Sequence, residues 1–325
     1  MGQRDSAVAR LEQGRRIGLG AGDQLLLGSD RDMLKRTMGY VDRDGCRLAL
    51  HCWGAGFSPA AVVFYIHGMQ SHAGWANCTG ESIASARTWV YVLDRRGSGL
   101  SGGDRGDVIS LQTLLDDFHF ALSLLAQRHP GAKVILVGQS LGGSILAGLL
   151  AWLPKNVDYH GAVFLSPALS QLHAKLQPGD IEIFLADKSS SLHKTNLLDE
   201  NYTRDDAVLN FIRTDPLVIR HITKRSLSAY IELERMYMRR SDYISSRSLL
   251  LQPNNDPIAR NMISEMTFRS ITGNKGTVTV LEGDRHYLEF SDAATDVYEL
   301  IDELICQVVD GDRRIGAMAG ESRPD

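Results

Sequence analysis

An α/β architecture, built on a mostly parallel, doubly wound sheet with a helical segment inserted between late strands, is what this 325-residue sequence predicts. Three observations carry that expectation. Short β-branched and aromatic runs alternate with longer amphipathic stretches, as a parallel sheet covered by helices on both faces requires. The run Val134-Ile135-Leu136-Val137 leads straight into Gly138-Gln139-Ser140-Leu141-Gly142, and the small-residue opening of a helix follows. The alternation then breaks from about residue 170 to residue 247, where no strong strand is legible.

Taken in order, residues 1–37 form an N-terminal extension without a clear period, apart from one helix expected at Ala7–Arg16. Gly39–Asp42 and Arg47–Trp53 flank Asp44-Gly45 and read as a hairpin. Ala61–Ile66 is a buried strand ending in His67-Gly68-Met69, followed by a helix near Gly80–Ala86 and a strand at Trp89–Leu93. Glycine density makes Asp94–Gly103 a loop, and Leu111, Leu114, Leu115, Phe118, Leu122 and Leu125 place an amphipathic helix within Val108–Arg128. Further strands are expected at Gly161–Leu165, Ser248–Gln252 and Thr277–Leu281, with helices near Pro257–Ser270 and Ala293–Val309. The core therefore comprises residues 38–169 and 248–309, residues 170–247 a helical cap, and 310–325 a C-terminal tail.

Hydrophobic residues at 43% give ample core for one large domain, and a net charge of −4 offers no electrostatic footprint for nucleic acid. Cys46, Cys52, Cys78 and Cys306 lack metal-ligand or disulfide spacing and read as free thiols of a reducing, cytoplasmic compartment. No secretory signal stands at the N-terminus, and Ile145–Leu153 is too short to span a bilayer. Met1-Gly2 with Ser6 matches a loose N-myristoylation pattern that no basic cluster supports.

Gly-x-Ser-x-Gly between a strand and a helix is the arrangement of a nucleophile elbow. A serine hydroxyl is a weak nucleophile, and glycines two residues to either side let strand and helix close tightly enough to project it. A base and an orienting acid should follow in the order acid, then histidine. Of ten histidines, His286 stands in the loop leaving the last strand, on the sheet edge where the elbow opens. The acid should leave the preceding strand, which selects Asp256 in Pro253-Asn254-Asn255-Asp256-Pro257; it also suits a helix N-cap, and Asp284 is the other candidate. Met69 and Leu141 would supply the two N–H groups of an oxyanion hole. Asp94–Ser101 lacks the Lys-Ser/Thr ending of a phosphate loop and reads as a rigid turn beside the site.

With His67-Gly68, His72, the Asp94–Ser101 segment, Gly138–Gly143, Leu165-Ser166-Pro167, Asp256 and His286 in place, the chain resembles the α/β-hydrolase superfamily over about residues 38–309. Within it, the likeness is to the monoacylglycerol lipase and lysophospholipase group, whose lid is echoed by Asn201–Asp205 and Thr214–Leu217. The turn around Asp256 departs from the more usual Gly-containing, charged form. The resemblance implies an α/β-hydrolase fold and a cofactor-free, metal-free serine esterase. A small acyl ester, of monoacylglycerol or lysophospholipid type, would be its substrate. Leu217, Val218 and Ile222 of the cap would meet the acyl chain, and the cap would touch membranes or lipid droplets peripherally. Thioesterase, acyltransferase or specialised-metabolite esterase activity, and a non-enzymatic ligand receptor, are the alternatives; oligomeric state is left open.

Overall fold

The computed structural model describes residues 35–56, 58–153 and 158–311. The helix expected at Ala7–Arg16 and all but the first two residues of the C-terminal tail lie outside these residues. The chain forms an eight-stranded sheet in the order β1-β2-β4-β3-β5-β6-β9-β10. Its strands are β1 (Lys35–Arg43), β2 (Cys46–Gly54), β3 (Ala61–Ile66), β4 (Thr88–Leu93), β5 (Lys133–Gln139), β6 (Gly161–Leu165), β9 (Arg247–Pro253) and β10 (Thr277–Leu281). β2 pairs antiparallel with both β1 and β4, and every other pairing in this sheet is parallel.

The first two strands are longer than expected. They meet across Asp44 (φ 52°) and Gly45 (φ 71°), the paired positive φ angles of a tight hairpin turn matched to strand twist. In the centre, consecutive side chains enter opposite cores. Val62, Phe64 and Ile66 of β3 join one apolar cluster, whereas Ala61, Val63 and Tyr65 join the other. Burial on both faces explains why these strands read as unbroken apolar runs. The first cluster is closed by α2 (Leu111–Arg128), α3 (Leu141–Trp152), α7 (Lys224–Met238) and α8 (Asn261–Ile271), the second by α1 (Asn77–Ile83) and α9 (Ala294–Asp310).

Two helices begin later in the chain than the periodicity suggested. α2 starts at Leu111 because the Ser110 hydroxyl accepts the Thr113 N–H at 3.1 Å and caps the first turn. α8 starts at Asn261 because Asp256 holds residues 257–259 in a separate turn, accepting the Ile258 and Ala259 N–H groups at 2.8 and 2.9 Å.

Between β6 and β9 the chain inserts α4 (Gln171–Lys175), α5 (Pro178–Ala186), β7 (Leu192–Lys194), a 3-10 turn (Asp199–Asn201), α6 (Asp206–Thr214), β8 (His221–Thr223) and α7. The stretch does contain strands: β7 and β8 pair antiparallel over three residues, too short for sequence periodicity to reveal. Nor is it a detached layer. Leu227, Tyr230, Ile231, Leu233 and Tyr237 of α7 belong to the main core, and Leu233 lies so close to Gly148 of α3 that a methyl there would overlap it. Among the described residues no helix is long and apolar enough to cross a membrane.

The tightest approach lies at the top of the sheet. A Cβ on Gly142 would fall 1.9 Å from the Ile66 carbonyl oxygen, against backbone that cannot swing aside. Gly142→Ala should therefore cost on the order of 2 kcal/mol or more, read as a melting temperature lowered by several degrees. Gly179→Ala, on an exposed helical turn with nothing within 4 Å, should leave the melting temperature level or raise it.

Candidate active site

Ser140, Asp256 and His286 come from the carboxyl ends of β5, β9 and β10, the side where open α/β sheets present their ligand sites. Ser140 sits at φ 54°, ψ −121°, a conformation that costs a non-glycine residue about 1–3 kcal/mol. The strain is locked in from three sides. The Ser140 N–H donates to Leu165 O at 3.0 Å, and the Ser140 carbonyl accepts the Gly143 and Ala168 N–H groups at 2.9 Å each.

His286 Nε2 lies 2.7 Å from Ser140 Oγ, and His286 Nδ1 lies 2.7 Å from Asp256 Oδ2. A carboxylate only accepts, so Nδ1 carries the proton and Nε2 presents its lone pair to the serine hydroxyl. Asp256 thus serves two oxygens separately: Oδ1 closes the 257–259 turn and Oδ2 orients the imidazole. Burial pushes its carboxyl up, but His286 and the two backbone amides outweigh burial and hold it below the usual range. Asp284 is engaged elsewhere. It is exposed, accepts a hydrogen bond from Arg204 Nε at 2.9 Å, and has Arg285 at 3.2 Å.

Among the described residues neither expected oxyanion donor has an acceptor. Leu141 opens α3, so geometry denies its N–H an intrahelical partner, and the Met69 N–H meets none there either. His67 is fully buried, and its Nε2 accepts the Arg95 N–H at 3.1 Å. Burial and the adjacent Arg95 charge hold its imidazole well below the usual range, so it is a neutral brace rather than a second base. The Asp94–Ser101 loop is rigid: the Asp94 carboxylate accepts the Ala73 and Leu100 N–H groups at 2.7 and 2.8 Å and faces His51 Nε2 at 3.1 Å.

The insertion reaches the site through its main chain. Asn201 and Tyr202 carbonyls accept the His286 and Tyr287 N–H groups at 2.9 and 3.1 Å, and Thr203 Oγ1 donates to Phe290 O at 2.9 Å. Around this seam Trp75, Tyr202, Tyr287 and Phe290 form an aromatic cluster, with Tyr287 stacked on Phe290 at 4.4 Å. A further tie joins His72 to Asp215 at 2.8 Å, with Trp75 Nε1 on the same carboxylate at 3.2 Å. The contact of these segments with His286 is not legible in the sequence, because backbone acceptors leave no residue-type trace.

The insertion residues expected to meet substrate differ in placement. Val218 packs with Trp75, Val208, Ile212 and Tyr287, and Ile222 on β8 is buried in the main core. Leu217 keeps part of its side-chain surface, and its N–H is fixed by Asp215 Oδ1 at 2.9 Å. Among the described residues no disulfide is formed by Cys46, Cys52, Cys78 or Cys306. Among the described residues no group of three or more His, Cys, Asp or Glu side chains is arranged to hold a metal ion.

The chain is similar to known proteins over the region that forms this fold. A monoacylglycerol lipase of Mycolicibacterium smegmatis is 30% identical over 176 residues, which is 54% of this chain and 62% of that protein, short of two thirds of its length. The rat monoglyceride lipase is 25% identical over 263 residues, 76% of this chain and 82% of its own. In fold, a soluble variant of Saccharomyces cerevisiae monoglyceride lipase, solved with a substrate analog, aligns with a TM-score of 0.72 at 19% identity, covering 85% of this chain and 96% of that one. Paleococcus ferrophilus monoacylglycerol lipase aligns at 0.68 and 22% identity, over 79% and 98% of the two chains. With the family model of serine aminopeptidase, S33 (Hydrolase_4) matching residues 58–292, the chain belongs to that family and is an α/β-fold hydrolase of the lipase/esterase type.

Proposed function

We propose that this hydrolase cleaves the carboxylic ester of a fatty acyl chain, of monoacylglycerol or lysophospholipid type, through a Ser140–His286–Asp256 triad and an acyl-enzyme. The observation that carries this reading is the pair of 2.7 Å contacts placing one imidazole between a strained serine and a buried carboxylate. His286 takes the Ser140 proton as Oγ attacks the ester carbonyl, and Asp256 stabilises the imidazolium that results. The Met69 and Leu141 N–H groups receive the oxyanion, aided by the positive end of the α3 dipole. The imidazolium then protonates the leaving alcohol. Water, deprotonated by the same base, attacks the acyl-enzyme and frees the acid. No step calls for a metal or organic cofactor. The lipid assignment leans on the similarity to monoacylglycerol lipases and on the insertion, which we read as a lid. In that reading Leu217 contacts the acyl chain, while Val218 and Ile222 belong to the packing that supports it.

Three measurements test the proposal. Ser140→Ala should abolish labelling by a fluorophosphonate and lower kcat on the order of 10⁶-fold while the protein stays folded. A wild-type protein that resists the label would point to a ligand receptor instead. Asp256→Asn should lower kcat by about 10⁴-fold, whereas Asp284→Asn, which weakens only surface pairs with Arg204 and Arg285, should change it little; the reverse ranking would move the acid to Asp284. Across p-nitrophenyl esters of rising length, each methylene buried by the lid adds about 0.8 kcal/mol, about fourfold in kcat/KM. The profile should climb from acetate and then level off. An acetate optimum would remove the fatty acyl assignment and leave the triad untouched.

A further inference from the structure

Two adjacent arginines in the loop after β4 do different work. Arg96 reaches Asp117 through Nε (2.9 Å) and a terminal nitrogen (2.8 Å), a two-point ion pair with α2. Arg95 is 3% exposed, and no carboxylate stands among its guanidinium's partners in the described residues. Its Nη1 donates to the carbonyl oxygens of His67 at 3.0 Å and Gly68 at 2.6 Å, and its Nη2 donates to Met69 O at 3.0 Å. One buried cation therefore grips three successive carbonyls of the loop that faces the nucleophile. That loop is close: a methyl added at Gly68 would lie 3.2 Å from Ser140 Cβ.

Peptide planarity turns this grip into a statement about Met69. In a trans peptide the C=O of one residue and the N–H of the next point in opposite directions, and the described chain has no cis bond. With Gly68 O drawn onto Arg95, the Met69 N–H must point away from the guanidinium, where it meets no acceptor among the described residues. We propose that Arg95 is the positioning residue of the oxyanion hole. It sets the Gly68–Met69 peptide so that the Met69 N–H faces the reacting carbonyl, and it places a buried positive charge behind that dipole. The inference rests on the esterase reading of Ser140 and adds a residue that never touches the substrate. Lysine cannot reproduce it, because a point ammonium lacks the planar fork needed to hold three carbonyls.

The experiment compares Arg95→Lys and Arg95→Gln with wild type in steady-state hydrolysis of a p-nitrophenyl ester. Affinity for an alkyl trifluoromethyl ketone, whose serine adduct fills the oxyanion hole, is measured alongside. Misplacing one donor should lower kcat on the order of 10²-fold, leave KM within about threefold, and weaken the ketone in the same proportion as kcat/KM. Folded variants that keep kcat within about threefold, or that lose kcat while holding the ketone as tightly as wild type, would overturn the proposal. If neither variant folds, a crystal structure of the wild-type ketone adduct decides. The adduct oxygen should lie about 2.7–3.1 Å from the Met69 N–H donor with Gly68 O still on Arg95, and a flipped Gly68–Met69 peptide would refute the assignment. A wild type inert to both ester and ketone would instead sink the esterase reading itself.

Discussion

The close approach of α3 to the end of β3 is the constraint from which the site follows. Gly142 allows the first turn of the helix to rest on the Ile66 carbonyl, and Ser140 is thereby forced to φ 54° at the tip. The same contact brings the Leu141 N–H, freed by the start of the helix, beside the loop that carries Met69. The Ser140 tip and the free Leu141 N–H thus follow from one backbone packing event, while the peptide carrying the Met69 N–H is held separately by Arg95. The strain at Ser140 persists because Leu165, Gly143 and Ala168 each hold its main chain by a hydrogen bond. A position over-determined in this way needs little reorganisation when charge develops.

How much of this the sequence made legible follows from where each feature stores its information. Residue type and local spacing carry the sheet, since Val62 to Ile66 and Val134 to Val137 are buried on both faces and must be apolar throughout. They also carry Ser140 and His286, which sit in short loops after strands. Asp256 was legible only as one of two candidates. What separates it from Asp284 is Arg204, which lies 80 residues away in the chain and engages Asp284 from the insertion. Boundaries slipped where a side chain captured a turn, as Ser110 does before α2 and Asp256 before α8. Which apolar residues of the insertion face the body is not written in local spacing. The fold sorts them by long-range packing, sending Ile222, Leu227, Tyr230 and Ile231 to the main core and Val218 to the aromatic cluster around Trp75.

Charge is rationed on the same principle. Asp94, fully buried, collects two loop amides and His51, and the imidazole outweighs the burial that would push its carboxyl up. Glu289, just past His286, has no comparable cation. Its carboxyl accepts the Tyr65 hydroxyl at 2.6 Å, and burial pushes it up to about 7. Asp94, beside an imidazole, is the carboxylate given amide donors and a basic partner. Glu289 lies among tyrosines.

The seam between Asn201-Tyr202 and His286-Tyr287 has a consequence for how the molecule can breathe. Two main-chain hydrogen bonds and the Thr203 hydroxyl fasten the insertion to the peptide that carries the imidazole. Any excursion that lifted residues 199–204 off the sheet would take away the scaffold of His286 at the same moment. On the triad reading proposed above, opening at that edge would undo the alignment of the imidazole with Ser140. By reciprocity, whatever ligand favours the aligned imidazole also favours the fastened edge.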